Sequence, residues 1–474
     1  MIEKKVWELL LRPIKDNRIL RWNTDCMDID SGYEAALVNL LGKAEPINRL
    51  RLILSDSFNA LPDSGEVCLV FGNKYSYQAM LGRDSVFFKT AYSLAAIKKI
   101  LSDAGFKRQK IYPLLPRGKN MFEIVFSSSA GNEITSSDLK GRLLRCRLAN
   151  SFLPAYAVVA GKKKSSGNSS MEALVSSCGI SKPYKCIMGH PNTLVVIAKD
   201  RIVRLPFDRL SGVRCRVNRM ALRTLRNTVF AGYAPRCLGG GNFFGQEYFC
   251  EERLSGIAVD EPLPQIEALS RKAVQLITEL HKETRRNITI SENVYRRLFG
   301  REFQRLKVCL NEAYGLKLRL VEDRLKKQLL GKEFCTVLLH GDYKIENVLF
   351  DERTWEITGV IDWDLSRRNG LPLLDLLYLI LYNDSLVNRK SICRILRERV
   401  VKMNFTEFEN SLIREYVSVL GMAEELLQPL VRLFWVNHIS QRYRQQLLRP
   451  EAAEPVWMQD EVYAVLDVLS EEDK

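Results

Sequence analysis

His340-Gly341-Asp342-Tyr343-Lys344-Ile345-Glu346-Asn347, followed by Val360-Ile361-Asp362-Trp363-Asp364, is the part of the chain around which the rest is organised. The first segment has the form H-G-D-x-x-x-x-N and follows an apolar run, Thr336 to Leu339, that reads as a strand. A second apolar strand, Ile357 to Ile361, delivers another aspartate fifteen residues past Asn347. Loops at the ends of two neighbouring strands bring Asp342, Asn347 and Asp362 together. A carboxylate such as Asp342 suits the orientation and deprotonation of a hydroxyl. The amide oxygen of Asn347 and the carboxylate of Asp362 are the hard oxygen ligands that magnesium takes beside phosphates.

At these residues the chain resembles the aminoglycoside phosphotransferase and choline kinase superfamily, a branch of the protein-kinase-like fold. The likeness covers roughly residues 171 to 450 and is sharpest over 336 to 382. It implies an α+β fold, a two-lobed kinase domain with ATP between its lobes, preceded here by a smaller α/β domain. Carried over, Asp342 is the catalytic base, Asn347 and Asp362 hold magnesium, and His340 supports the loop. Lys344 matches the catalytic-loop lysine of protein kinases that touches the transferred phosphate; by residue type it is equally a solvated loop lysine. Asp375 resembles the family's structural aspartate near the start of the apolar helix that begins at Leu371. The helix end Leu280-His281-Lys282-Glu283-Thr284 also resembles the family, and His281 reads as a packing and hydrogen-bonding residue rather than a catalyst. Asp364 suits a second magnesium, the loop or the substrate.

Residues 171–256 form the expected small lobe. Strands read over Tyr184 to Met188, Thr193 to Ala198 and Ile202 to Phe207. The turn Gly189-His190-Pro191-Asn192 stands where the family covers the phosphates, which makes Gly189 and Asn192 nucleotide-binding candidates. Arg204 takes the place of the strand lysine that grips phosphate; it either substitutes for that lysine or marks impaired nucleotide binding. The next helix, Val213 to Arg226, contains no acid and five arginines, with Met220 about where the family carries a glutamate. The usual ion pair is therefore absent. Two consequences stay open, a basic cleft that binds phosphates without it or a pseudokinase, and the arginines also read as a solvated face. Gly239-Gly240-Gly241-Asn242 reads as a hairpin turn. Glu247 to Glu251 is the last strand, leading to a hinge at Glu251 where backbone groups would meet adenine.

Residues 257–474 form the expected large lobe. Ile266 to Thr284 shows the 3.6-residue stripe of a buried helix face. Ser291 to Gln328 reads as two polar helices. Trp435, His438 and Tyr443 fall on a helix from Leu426 to Leu447, in the region that helps form the family's acceptor pocket.

Residues 1–125 alternate strands and helices, an α/β layer. Gly32 to Leu41 reads as a helix, Glu66 to Phe71 as a buried strand, and Ser93 to Ala104 as a helix closed by Gly105. Leu61-Pro62-Asp63-Ser64-Gly65, the strand after it and the later Ala104-Gly105-Phe106 resemble the C-terminal half of a class I S-adenosylmethionine methyltransferase. The glycine-rich nucleotide loop of such enzymes is missing, so the expectation is a degenerate domain. Residues 126–170 read as a connecting segment ending in a polar, lysine-rich linker.

The 474 residues carry a net charge of +15, 11 cysteines and four histidines. The charge suits phosphate-bearing ligands, and no nucleic-acid-binding signature accompanies it. The scattered cysteines and few histidines speak against zinc or histidine-metal catalysis and for a reduced, cytoplasmic setting. Neither a secretory signal nor a membrane span is expected.

Overall fold

The structure, a computed structural model, describes residues 10–11, 19–21, 33–40, 46–74, 92–116, 122–124, 154–163, 169–181, 184–189, 192–243, 245–444 and 457–471. The chain divides into two compact units, Met1–Cys215 with Cys237–Arg253, and Arg216–Arg236 with Leu254–Lys474.

Among the described residues, the first unit is built on one sheet of eleven strands. In chain order these are β1 (Ile19–Arg21), β2 (Ala35–Asn39), β3 (Glu66–Gly72), β4 (Arg108–Pro116), β5 (Phe122–Ile124), β6 (Ala155–Gly161), β7 (Lys185–Gly189), β8 (Thr193–Ile197), β9 (Arg201–Pro206), β10 (Cys237–Phe243) and β11 (Gln246–Glu252). Their spatial order is β1-β2-β3-β6-β4-β5-β7-β8-β9-β11-β10. Every residue of β3 and of β6 is buried, as expected of strands covered on both faces. On one face, α1 (Ile47–Ala60) and α2 (Leu94–Asp103) set Leu50, Leu54, Ile97 and Leu101 against Val67, Leu69, Phe71, Val158 and Ala160. On the other, α3 (Ser170–Ser177) places Met171, Leu174 and Val175 in a core that joins Cys68, Val70 and Ala157 to Cys186, Leu194, Val203 and Leu205. A capping box between Ser169 and Glu172 starts α3.

The strands expected for a separate N-terminal domain and those expected for a small lobe thus belong to one sheet. The junction is the antiparallel pairing of Phe122, Glu123 and Ile124 with Met188, Ile187 and Cys186. Three elements differ from the sequence reading. Ala35–Asn39 is a strand, paired in parallel with β1 and β3, rather than part of a helix. A short apolar run has no distinguishing period, and burial on both faces decides it. Ala155–Gly161, inside the stretch read as a connection, lies centrally between β3 and β4. Gly239, Gly240 and Gly241 lie within β10 rather than in a turn. A Cβ at Gly241 would come 2.9 Å from the Tyr248 hydroxyl, so glycine there lets the Tyr248 ring lie across the strand. His190, Pro191, residues 125–153 and residues 164–168 lie outside the described residues.

One helix, α4 (Arg209–Leu225), begins in the first unit and ends in the second. The second unit continues with α5 (Ile266–Thr284), α6 (Glu292–Lys307), α7 (Glu312–Leu329), α8 (Leu374–Asn388), α9 (Glu407–Leu420), α10 (Leu427–Arg442) and α11 (Ala464–Glu471). Two small sheets lie among them. One pairs β12 (Ile257–Ala258) with β15 (Val348–Phe350) and β16 (Ile357–Val360); the other pairs β13 (Arg286–Thr289), β14 (Glu333–Leu339) and β17 (Arg367–Gly370). The fold is mixed α and β throughout, and α5 spans the residues its periodicity predicts. Among the described residues, no helix is long and apolar enough to cross a membrane.

Candidate active site

The loop after β14 is fixed by its backbone before any side chain does chemistry. Gly341 has φ 85°, and a Cβ there would come 2.3 Å from the Leu365 carbonyl oxygen, so only glycine fits. Asp375, buried in the first turn of α8, accepts the His340 N–H at 2.7 Å and the Gly341 N–H at 2.9 Å. The His281 Nε2 stands 3.3 Å from the same carboxylate. Burial pushes the Asp375 carboxyl up, but the His281 and backbone donors outweigh it and hold it below its ordinary value. His281 Nδ1 lies 2.7 Å from the Tyr416 hydroxyl, which accepts the Leu373 N–H at 2.9 Å. His281 and Asp375 thus anchor the loop from beneath.

His340 connects the two halves of the site. Its Nδ1 accepts the Asp342 N–H at 3.2 Å, which leaves Nε2 to donate to the Ile361 carbonyl at 2.9 Å. The ring is fully buried and packs on Trp363, centroids 4.4 Å apart. Asn347 closes the loop: its Nδ2 donates to the Asp342 carbonyl at 2.8 Å and to Asp342 Oδ2 at 3.3 Å. The Asn347 carbonyl accepts the Ile361 N–H at 2.9 Å, continuing the β15–β16 ladder to the residue before Asp362. Asp362 itself has left-handed backbone angles, φ 69° and ψ 54°. The three residues expected to act together are therefore held in one hydrogen-bonded frame.

Burial raises the Asp342 carboxyl, the nearby Asp362 adds to this, and Lys344 opposes it. Lys344 is ion-paired rather than solvated, with Nζ 2.9 Å from Glu346 Oε2 and 5.1 Å above the Tyr382 ring. Burial disfavours its charge, but Asp342, Glu346 and Asp362 together raise its pKa. The Tyr382 hydroxyl donates to Glu346. Tyr378, one turn earlier on α8, is pushed up by burial and by the Asp342 charge. Sequence reading missed these two tyrosines, whose spacing of four on an apolar helix marks one shared face. Trp435 and His438 are packing residues: Trp435 is fully buried with Nε1 donating to the Glu461 carbonyl, and His438 stacks on Phe434.

In the first unit, Arg204 on β9 meets Glu251 on the adjacent β11, Nε to Oε1 2.8 Å. The Glu251 side chain is 3% exposed. Glu251 thus contributes a buried carboxylate beside Arg204, a role that its placement at the hinge did not suggest. Asn192 donates from Nδ2 to Asp208 at 2.8 Å, and Asp208 accepts the Ser211 N–H at the start of α4. Gly189 ends β7 opposite Thr193. On α4, Met220 is 55% exposed, whereas Asn218 is 1% exposed. Ser211, at the start of the helix, and Asn218 are therefore its buried polar residues, and Met220 is not buried.

Residues 190–410 match the family described as "Phosphotransferase enzyme family". A mouse protein, acyl-CoA dehydrogenase family member 11, is 38% identical over 58 residues, 12% of this chain. The chain spans only 7% of the length of that curated relative. Among solved structures, the ADP-bound aminoglycoside phosphotransferase APH(2'')-Ib is 14% identical, with a TM-score of 0.42 and coverage of 63% of this chain and 97% of its own. An aminoglycoside-3'-phosphotransferase of type VIII is 18% identical, with a TM-score of 0.38 and coverage of 56% and 98% respectively. These comparisons give no support to the methyltransferase resemblance of residues 1–125. Over residues 190–410 this chain is thus similar to the phosphotransferase enzyme family, in keeping with the resemblance carried by its H-G-D-x-x-x-x-N and I-D-W-D segments.

Proposed function

We propose that the protein is an ATP- and magnesium-dependent phosphotransferase that moves a phosphoryl group to a hydroxyl of a small molecule, a sugar, amino alcohol or related metabolite. The observation that carries this reading is the single frame in which His340, Asn347 and Asp375 fix Asp342 beside the Ile361–Asp362 peptide. Asp342 aligns the acceptor hydroxyl and takes its proton. Lys344 offsets charge on the transferring group, and Arg204 binds nucleotide phosphate.

Among the described residues no cluster of three or more His, Cys, Asp or Glu forms a metal cage. A magnesium ion carried on nucleotide phosphates needs only one or two protein oxygens, and Asp362 with the Asn347 amide oxygen supplies that number. The Asn347 Nδ2 is engaged by the Asp342 carbonyl and Oδ2, so the amide oxygen is the end of that side chain suited to a cation. When bound, magnesium would neutralise charge on the phosphates.

A second reading, a nucleotide-binding or scaffold pseudokinase, is favoured by α4, which has no acid for Arg204, and by the commitment of Arg204 to Glu251. Calorimetry with ATP separates the two. The enzyme reading expects magnesium-dependent binding that is lost in Asp362→Asn. It also expects phosphoryl transfer in an acceptor screen that is abolished in Asp342→Asn. Nucleotide binding without transfer to any acceptor favours the pseudokinase, and no nucleotide binding under any condition ends both.

A further inference from the structure

Within the second unit, α4 turns a stripe of Asn218, Ala221, Leu222 and Leu225 to the interior, the i, i+3, i+4, i+7 spacing of a core-facing helix. An amide in such a stripe is costly to bury unless it is hydrogen-bonded. The Asn218 Oδ1 accepts the Trp363 N–H at 3.1 Å. That N–H belongs to the peptide immediately after Asp362. The peptide immediately before Asp362 is held through its carbonyl by His340 Nε2 at 2.9 Å. One side chain therefore grips each peptide plane flanking Asp362.

The grip matters because Asp362 has left-handed angles, which a residue with a Cβ keeps only where its surroundings determine them. The Trp363 side chain cannot do this alone. It is fully buried, its Nε1 donates to the Val360 carbonyl at 2.9 Å, and it packs edge-on against Phe230 at 5.4 Å. Those contacts fix the indole, while the Asp362–Trp363 peptide is held at its N–H by Asn218, alongside the 3-10 turn that begins at Asp362. Turning that peptide would change ψ of Asp362, and with it the left-handed backbone from which the carboxylate projects.

We infer that Asn218 is a positioning residue for Asp362: its carboxamide holds the Asp362–Trp363 peptide so that the carboxylate faces the nucleotide-borne metal. Two residues before Met220, the position that reads as the lost charge partner, the helix thus carries a residue with a different purpose, the orientation of a loop by a neutral amide. The inference rests on the reading of Asp362 as a magnesium ligand.

The test is calorimetry of ATP on the full chain, with magnesium varied from none to saturating, for wild type, Asn218→Leu and Asn218→Asp. Asn218→Leu keeps the volume and removes the acceptor, while Asn218→Asp restores an acceptor for the Trp363 N–H. Asn218→Leu is expected to weaken the magnesium-dependent part of ATP binding about tenfold, ~1.4 kcal/mol. Its magnesium-free ATP binding should stay within about twofold, and Asn218→Asp should recover most of the loss. A purely structural role would lower the melting temperature without moving the magnesium dependence. Should the leucine variant not fold, Asn218→Ala carries the same comparison, with a smaller loss of the same sign expected. Unchanged magnesium dependence in a folded acceptor-less variant overturns the inference and leaves the function reading intact. Wild-type protein that binds ATP without regard to magnesium overturns both.

Discussion

Arg204 and Glu251 form a part-buried ion pair across two neighbouring strands, with 2.8 Å between Nε and Oε1 and side chains 19% and 3% exposed. Removing one member of such a pair costs more than removing both, because the survivor keeps its desolvation penalty. Arg204→Met is expected to destabilise the protein by roughly 3 kcal/mol, and adding Glu251→Leu to recover at least half of that. Urea denaturation of the two singles and the double gives the coupling directly. Additive losses would show that the two side chains do not support each other.

The glycine of the H-G-D segment is dictated by geometry. Gly341→Ala places a methyl group 2.3 Å from the Leu365 carbonyl in a backbone with φ 85°. The strain is on the order of 1–3 kcal/mol, and the loop can relieve it only by pulling Asp342 out of its frame. The expected result is a folded protein, by far-ultraviolet circular dichroism, with phosphoryl transfer lowered at least ~100-fold. Unchanged transfer would mean that the site tolerates a displaced Asp342.

Lys344 and Tyr382 share Glu346 but should separate in kinetics. Lys344→Ala is expected to lower kcat about 100-fold, the usual scale for losing one donor to developing charge. Tyr382→Phe removes a hydroxyl that donates to Glu346 and should cost about 1 kcal/mol of stability with little change in kcat. Equal kcat losses in the two variants would assign Lys344 to loop structure rather than to the transferring phosphate.

His438, packed against Phe434 and Tyr378, gives a pH signature of its own. Burial, with Arg442 adding to it, lowers its pKa to about 3, and its Nε2 has no hydrogen-bond partner among the described residues. The unfolded chain binds this proton near pH 6.5 and the folded chain does not, so stability is complete above about 6.5 and falls as pH drops towards 3. The slope from this group is at most ~1.4 kcal/mol per pH unit. Between pH 7 and pH 5, His438→Gln should lose about 2 kcal/mol less than wild type in denaturant titrations. Parallel losses in the two proteins would show that His438 titrates normally.

The hairpin of the candidate site and the loop before it were legible in sequence because the chemistry expected of them restricts their residue types. Asp342, Asn347 and Asp362 admit few replacements, and Gly341 none. The helices with clear periodicity, such as Ile266–Thr284, were legible for a similar reason: one face must be apolar along its whole length. What escaped depended on partners far away in the chain. Glu251 looked like a hinge residue because only the β9–β11 pairing places it beside Arg204. Asn218 was hidden in an arginine-rich helix, although its place in the stripe with Ala221, Leu222 and Leu225 was a readable signal. Ala35–Asn39 and Ala155–Gly161 carry too few residues for a period to show, and the sheet around them decides their conformation.

The pairing of Phe122–Ile124 with Cys186–Met188 also bears on how the chain can be cut. A fragment beginning near residue 170, the natural choice for isolating the catalytic part, would strip β7 of its neighbour. It would also uncover Met171, Leu174, Cys186 and Leu194 where they meet Cys68, Val70 and Ala157. An open strand edge beside a bare apolar face is a template for self-association. The pairing of β5 and the apolar cover from β3 and β6 therefore shield the strands that follow from self-association, independently of any chemistry.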